Sequence, residues 1–159
     1  MIMIMAWVYN DLGAANENFH LRNPANALGM AAFNAGAATP GLNGKGYVWL
    51  GVLGASICST ISILDMPDIA RDSARGRRTM PIVCGHEVAR WGLAIPIVLW
   101  SVVCPVFLGT GFAGFVFSVF LGSILACHLL IFRTHAADKA SEKMWCLNHG
   151  PILVAVVCK

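Results

Sequence analysis

The sequence predicts an all-α protein, a multi-pass bundle of transmembrane helices, and three observations support that prediction. Hydrophobic residues make up 57% of the 159 residues and charged residues only 12%, a composition far from that of a soluble domain. The apolar residues form uncharged runs of a length that suits membrane-crossing helices. The charged residues are confined to short segments between these runs. The net charge of +3 is too small, and the basic residues stand too close to acidic ones, to indicate a nucleic-acid partner.

The N-terminal part of the chain predicts a short helix before the first full span. Residues 1–9 are apolar but too few to cross a bilayer core of about 30 Å, so we expect them to end a helix that begins upstream. A polar stretch follows over residues 10–23. Asn23 as N-cap and Pro24 in the first turn predict a helix over residues 24–38. A turn is predicted over residues 39–46.

Three spans and a shorter helix are predicted in the remainder. Residues 47–64 are eighteen residues without a charge. Two further apolar runs cover 89–108, with Arg90 at its start, and 112–132. His128 lies inside the last run, where we expect it to hydrogen-bond to a neighbouring helix. Gly51 and Gly54 predict a face on which another helix packs closely. Residues 133–143 are polar, and residues 144–158 predict an apolar helix weakened by Gly150 and Pro151.

The distribution of charge predicts how the helices are oriented. Residues 10–23, 65–90 and 133–143 contain every Asp and Glu, and every Lys and Arg except Lys45 and Lys159. If the helices cross one after another, these three segments lie on the same side of the membrane. Their excess of Lys and Arg indicates the cytosolic side. We therefore expect an integral membrane protein whose charged segments face the cytosol.

The most informative motif lies between the first two spans. Asp65, Asp68 and Asp72 stand at positions i, i+3 and i+7, a spacing that places three carboxylates on one face of a helix. Carboxylate oxygens are ligands that Mg²⁺ prefers. Three arginines follow, Arg75, Arg77 and Arg78. Because guanidinium groups bind phosphate oxygens with two parallel hydrogen bonds and stabilise a departing diphosphate, the segment predicts a magnesium and diphosphate site.

Two stretches of the chain resemble motifs of one family. The first is Asp-x-x-Asp-x-x-x-Asp-x-x-x-Gly-x-Arg-Thr-x-Pro-x-x-x-Gly, present as Asp65, Asp68, Asp72, Gly76, Arg78, Thr79, Pro81 and Gly85. It resembles the second aspartate-rich motif of the UbiA-type intramembrane prenyltransferases. The second is similar to a helix of that family and consists of Arg22, Asn23, Asn26, Leu28, Gly29, Phe33, Asn34 and Gly36.

A narrower resemblance concerns the fungal branch of that family, which includes membrane-bound sesquiterpene cyclases and meroterpenoid prenyltransferases. The stretches similar to that branch begin at Tyr9, at Asp65 and at Ala137. The resemblance implies part of a bundle of about nine membrane helices, in which two aspartate-rich loops hold Mg²⁺ and a prenyl diphosphate. It also implies that the chain is a fragment, the C-terminal half of the family's length with about five or six helices. The first motif, Asn-Asp-x-x-x-Asp by type, then has no counterpart unless residues 10–17 supply it.

The resemblance implies a role for each residue type in the charged segment. Asp68 and Asp72 are the predicted Mg²⁺ ligands, with Asp65 as a third ligand or a partner of the ligands. The predicted diphosphate contacts are Arg71, Arg75, Arg77 and Arg78, of which Arg78 matches the family position, together with Arg22 and Asn26. The predicted rim of the site comprises Tyr9, Asn10 and Asp11. The aromatic candidates for stacking on the isoprenoid or its cation are Phe33, Trp49, Trp91 and Trp100.

Plainer interpretations of these residues stay open. The charged segment could be a solvated connector, Asn26 could bond one helix to another, and Trp49 and Trp91 could be interfacial anchors.

Three functions also stay open. The first is transfer of an isoprenoid from a prenyl diphosphate, such as farnesyl diphosphate, to an aromatic or other acceptor. The second is cyclisation, in which the allylic cation is captured by its own chain. The third is a truncated, catalytically inactive membrane protein surrounded by lipid.

Overall fold

The computed structural model describes residues 18–38 and 43–154, with side chains for 18–36 and 43–148. Every regular element in these ranges is helical, and they contain no strand. The predicted all-α fold class is therefore confirmed. The predictions for residues 1–9, for Tyr9, Asn10 and Asp11, and for a first motif over 10–17 lie outside the described residues.

Helix α1 runs from Phe19 to Ala38 and begins earlier than predicted. The Asn18 carbonyl accepts hydrogen bonds from the amides of Leu21 and Arg22, both at 3.1 Å, and its side chain accepts one from the amide of His20 at 3.4 Å. Asn18 thus caps the helix, and the prediction of Asn23 as the cap was wrong. Pro24 lies inside the helix, where a proline has no amide hydrogen to bond one turn back and its ring crowds the carbonyl four residues earlier.

Helix α2 spans Gly44–Thr60 and continues as a 3₁₀ helix over Ile61–Asp65. The Asn43 side chain caps its start by accepting a hydrogen bond from the amide of Gly46 at 3.0 Å. Two short helices follow, α3 at Ile69–Ala74 and α4 at Met80–Cys84. Residues 61–85 connect α2 to the long helix that begins at His86. We call them the charged connector.

Helices α5 and α6 form the most extensive helix pair in the described part of the chain. Helix α5 runs over His86–Leu108 and α6 over Gly111–Ile131, separated by Gly109 and Thr110. At Gly122 of α6, an added Cβ would lie 2.6 Å from the Cβ of Ser101 in α5 and closer still to its hydroxyl. The two helix backbones therefore approach each other here as only glycine permits. At Gly51 and Gly54, by contrast, no described residue lies within 4 Å of an added Cβ, so the described helices do not form the close-packing face predicted there.

Helix α7 runs over His135–Val154, so the polar residues after Thr134 form the first half of a helix rather than a loop. The Thr134 hydroxyl accepts a hydrogen bond from the amide of Ala137 at 3.2 Å, as an N-cap does. The predicted helix over 144–158 is thus the second half of a longer one, and its last residues lie outside the described ones. Trp145 joins α7 to α2 through a hydrogen bond from Nε1 to the Thr60 hydroxyl at 3.1 Å.

The buried core lies where α5, α6, α7 and the 3₁₀ helix meet. Its members are Ile63, Met66, Ala89, Leu93, Ile97, Leu125, Leu129 and Trp145. Among the described residues, three segments are long and apolar enough to cross a membrane, namely Gly44–Asp65, His86–Leu108 and Gly111–Ile131. The charged connector therefore joins the end of one candidate span to the beginning of the next.

Candidate functional site

The predicted site residues lie on the charged connector and on the first turns of α1 beside it. The connector is not one helix, because the 3₁₀ helix ends at Asp65 and Asp68 is the residue before α3. The expectation that Asp65, Asp68 and Asp72 share one face of a continuous helical turn was therefore wrong. Each of the three carboxylates instead has an arginine partner of its own.

Asp65 forms a buried ion pair with Arg22 of α1. Both residues are only 8% exposed, so neither charge is compensated by solvent. One residue further along α1, the Asn23 amide donates a hydrogen bond to the Ser62 hydroxyl at 2.8 Å. The start of α1 is thus fixed to the 3₁₀ helix by two adjacent polar contacts. A buried charge is costly without a partner. Removing either side chain of this pair would therefore destabilise the fold by leaving the other charge buried and unpaired.

Asp68 pairs with Arg71 at 2.5 Å across three residues of the connector. Both side chains are substantially exposed, Arg71 at 59% and Asp68 at 37%. An exposed pair of this kind gains little free energy, since water and salt screen it. Asp68 is therefore the carboxylate that an incoming cation reaches most readily.

Asp72 pairs with Arg77 through the turn that ends α3. The amide of Gly76 bonds to the carbonyl of Ser73, and the amide of Arg77 to the carbonyl of Asp72, both at 3.0 Å. These two bonds form a Schellman motif, and Gly76 has the positive φ of 68° that the motif requires. The turn brings the Arg77 guanidinium to 3.2 Å from the buried Asp72 carboxylate. Asp72 and Arg77 are also within electrostatic range of Asp65.

The remaining predicted contacts lie around this group. Arg75 and Arg78 are exposed, and the carbonyl of Arg78 accepts a hydrogen bond from the amide of Phe19 at 3.1 Å. Asn26 is half-buried in α1, one turn after Arg22. The structure thus brings Arg22, Asp65, Asp72 and Arg77 together and leaves Arg75 and Arg78 free to meet solvent or a ligand.

A cavity of about 250 Å³ lies beside the charged connector. Its lining includes Phe19 and Asn23 of α1, Cys58 and Ser59 of α2, and Met80 of α4. The lining is mostly apolar, and Met80 stands two residues after Arg78. The cavity is therefore adjacent to the exposed cationic part of the connector.

The donor set can be tested against magnesium. The three carboxylates are hard oxygen donors of the kind that Mg²⁺ binds. Within residues 18–38 and 43–148, however, no three His, Cys, Asp or Glu side chains are grouped closely enough to hold one metal ion. The donor chemistry fits magnesium, whereas the three aspartates in this arrangement do not converge on a single ion.

The four aromatic candidates are dispersed. Trp49 is buried and stacks on Phe107 with ring centroids 5.6 Å apart. Trp100 donates from Nε1 to the Ser59 hydroxyl at 2.9 Å. Phe33 and Trp91 are exposed at 65% and 56%. They do not enclose a common space, so a shared role in shielding an isoprenoid stays a prediction.

Sequence analysis missed a second group of buried charges. Arg90 of α5 donates to both carboxylate oxygens of Asp138 in α7, at 2.8 and 3.0 Å, and to the carbonyl of Leu129 at 2.5 Å. The available signal was an arginine within the first turns of a membrane span, which needs a buried partner. Nearby, His128 Nδ1 lies 2.9 Å from the Ser141 hydroxyl, which confirms the predicted hydrogen bond to a neighbouring helix.

Comparison with known proteins identifies the family of the chain. No curated protein and no solved structure matches the chain significantly. The profile of the UbiA prenyltransferase family matches residues 1–150, a range that includes every predicted site residue. Three long apolar helices accompany that match. The chain therefore belongs to the UbiA prenyltransferase family and is an integral membrane protein.

Proposed function

We propose that the protein transfers an isoprenoid from a prenyl diphosphate, such as farnesyl diphosphate, to an aromatic or other acceptor. The observation that supports this proposal is the charged connector, where exposed Arg75 and Arg78 stand beside the paired aspartates at the end of a membrane span. Family membership indicates prenyltransferase chemistry in general. The identity of the diphosphate and of the acceptor is part of the proposal.

The chain's own residues would bind and orient the diphosphate. Arg78 and Arg75 are exposed and would donate to its terminal oxygens. Arg71 and Arg77 would join them by leaving their aspartate partners and donating to phosphate oxygens instead. Both guanidinium groups are at least partly exposed and so within reach of a ligand. The first carbons of the prenyl chain would then enter the adjacent cavity, whose mostly apolar lining suits a hydrocarbon chain.

Magnesium would be held by Asp68 and Asp72, the two carboxylates whose arginine partners belong to the connector itself. When bound, the ion would neutralise charge that develops on the departing diphosphate. The fungal-branch resemblance and the cytosolic orientation of the connector belong to this proposal as well.

The test uses the full-length protein in membranes, supplied with farnesyl diphosphate, Mg²⁺ and an aromatic acceptor. We expect Asp68→Asn and Asp72→Asn each to lower turnover by about a hundredfold or more, the scale of losing one stabiliser of transition-state charge. Glu87→Gln is the matched control, because Glu87 is an exposed carboxylate paired with Arg133 outside the connector. Retention of wild-type turnover by both aspartate variants would contradict the proposal.

The same assay without an acceptor separates transfer from cyclisation. Both reactions would use the same diphosphate site and differ in how the cation is captured. An absolute requirement for the acceptor supports the proposed transferase, whereas a cyclised hydrocarbon formed without it identifies a membrane-bound terpene cyclase. Absence of turnover both with and without the acceptor supports the inactive alternative.

A further inference from the structure

The beginning of α1 contacts the charged connector on both sides of the segment that carries Asp68 and Asp72. Before that segment, Arg22 pairs with Asp65, and Asn23 bonds to Ser62. After it, the amide of Phe19 donates to the carbonyl of Arg78 at 3.1 Å. Residues 65 and 78 are thus held by one turn of one helix, and the segment that carries Asp68 and Asp72 lies between them.

The Arg22–Asp65 pair differs from the other two pairs in what it joins. Arg71 and Arg77 lie on the connector, so their pairs can open without separating two elements. Arg22 lies on α1, and the side chains of Arg22 and Asp65 are only 9% and 11% exposed. Opening this pair would remove the charged contact between α1 and the connector and leave two buried charges without partners.

We propose that Arg22 and Asp65 are positioning residues, whose ion pair holds the connector in the conformation that presents Asp68 and Asp72, and that neither contacts the metal or the diphosphate. The assignment of Asp68 and Asp72 rests on the proposed function. The positioning role itself rests on the contacts of α1 with residues 62, 65 and 78 of the connector.

The test compares Arg22→Asp, Asp65→Arg and the double variant that exchanges the two charges. Two measurements are made on the full-length protein, well below the unfolding temperature of each variant. The first is the rate of tryptic cleavage after the exposed arginines Arg71, Arg75 and Arg78, with cleavage after exposed Arg133 as an internal control. The second is binding of Mn²⁺, a spectroscopic substitute for Mg²⁺, measured by electron paramagnetic resonance. Should either single variant not fold, Arg22→Lys and Asp65→Asn replace it.

We expect each single variant to be cleaved in the connector about tenfold faster than the wild type, with weaker Mn²⁺ binding, and the exchanged pair to restore both. Restored protection without restored Mn²⁺ binding would identify Asp65 as a metal ligand and overturn the proposal, because an arginine at a ligand position repels the ion. Wild-type cleavage in the single variants would show that the pair does not hold the connector, and would also overturn it.

Failure of the proposed function gives a different result. If Asp68→Asn and Asp72→Asn bind Mn²⁺ as the wild type does, the metal assignment is wrong. Cleavage in the connector does not depend on metal, so that measurement still decides whether the Arg22–Asp65 pair positions the connector.

Discussion

Three carboxylates of the same chemical type occupy three different environments in the charged connector. Asp65 is buried against α1, and Asp72 is buried against the turn after α3. Asp68 is partly exposed. The residue types predicted a cluster of opposite charges, which the three ion pairs confirm, while magnesium as the ligand of the carboxylates stays a prediction. The partners could not be predicted, because they depend on where the 3₁₀ helix ends and α3 begins.

Arg90 carries the largest stabilising role that we assign to a single side chain. It donates to Asp138 of α7 and to the carbonyls of Leu129 and Phe132 at the end of α6. We expect Arg90→Ala to lower the free energy of unfolding by about 3–5 kcal/mol, since it leaves the buried Asp138 carboxylate unpaired. Thermal unfolding in detergent measures the change.

The matched control for Arg90 is Arg133, whose pair with Glu87 is exposed on both sides. We expect Arg133→Ala to change the free energy of unfolding by at most about 1 kcal/mol, because solvent already compensates both charges. Equal losses in the two variants would show that burial of the Arg90 pair is not what stabilises the bundle.

At the scale of elements, apolar runs predicted the long helices better than the polar segments predicted their ends. The predicted span 89–108 and helix α5 both end at Leu108, where Gly109 adopts a left-handed conformation. The starts of α1 and α7 were misplaced because polar residues can belong either to a loop or to a helix. Asn18 and Thr134 start these two helices by capping them. Whether a polar residue caps a helix depends on its backbone geometry, which residue identity alone does not determine.

The conformation of Gly76 in the turn after α3 allows a prediction about its substitution. Its φ of 68° is strained for a side chain, while an added Cβ would meet nothing within 4 Å. We therefore expect Gly76→Ala to cost about 1 kcal/mol of unfolding free energy through backbone conformation alone, and to weaken the Asp72–Arg77 contact. Gly76→Asn should cost less, because asparagine tolerates this conformation. An equal cost for both substitutions would contradict the conformational explanation.

The packing of α5 on α6 makes a separate prediction about Gly122. An added methyl group there would overlap the Ser101 side chain, so we expect Gly122→Ala to lower the free energy of unfolding by about 1–3 kcal/mol. Gly51→Ala in α2 is the control, since the space around it is open and alanine favours a helix. The double variant Gly122→Ala with Ser101→Gly should recover much of the loss. If the double variant recovers nothing, overlap with the Ser101 side chain is not the cause of the loss.

At the scale of the whole molecule, apolar surface and charge are segregated. Helix α6 exposes a series of large apolar side chains, Phe112, Val116, Phe117, Phe120, Ile124 and Ile131. Such a surface is stable against lipid and not against water. The charged connector lies at the end of α2 that is distant from Lys45. This separation is what composition predicts for a membrane protein, and it places the charged connector at the end of a candidate membrane span.

The orientation of α2 gives the last prediction. With its 3₁₀ extension it has 22 residues, which at about 1.5 Å each exceed a bilayer core of about 30 Å. Exposed Lys45 and exposed Cys84 should therefore lie on opposite sides of the membrane. We expect a variant with Cys84 as its only cysteine to react with a membrane-impermeant maleimide in sealed vesicles whose cytosolic face is outward. A matched Lys45→Cys variant without Cys84 should react only after detergent is added.

The two labelling patterns that differ from this expectation have different consequences. The reverse pattern would keep α2 as a span and place the charged connector on the side opposite to the cytosol, against the positive-inside argument. Labelling of both positions from one side would mean that α2 does not cross. The connector would then not lie where a soluble diphosphate meets a prenyl chain held in the bilayer, and the proposed reaction would lose the geometry on which it depends.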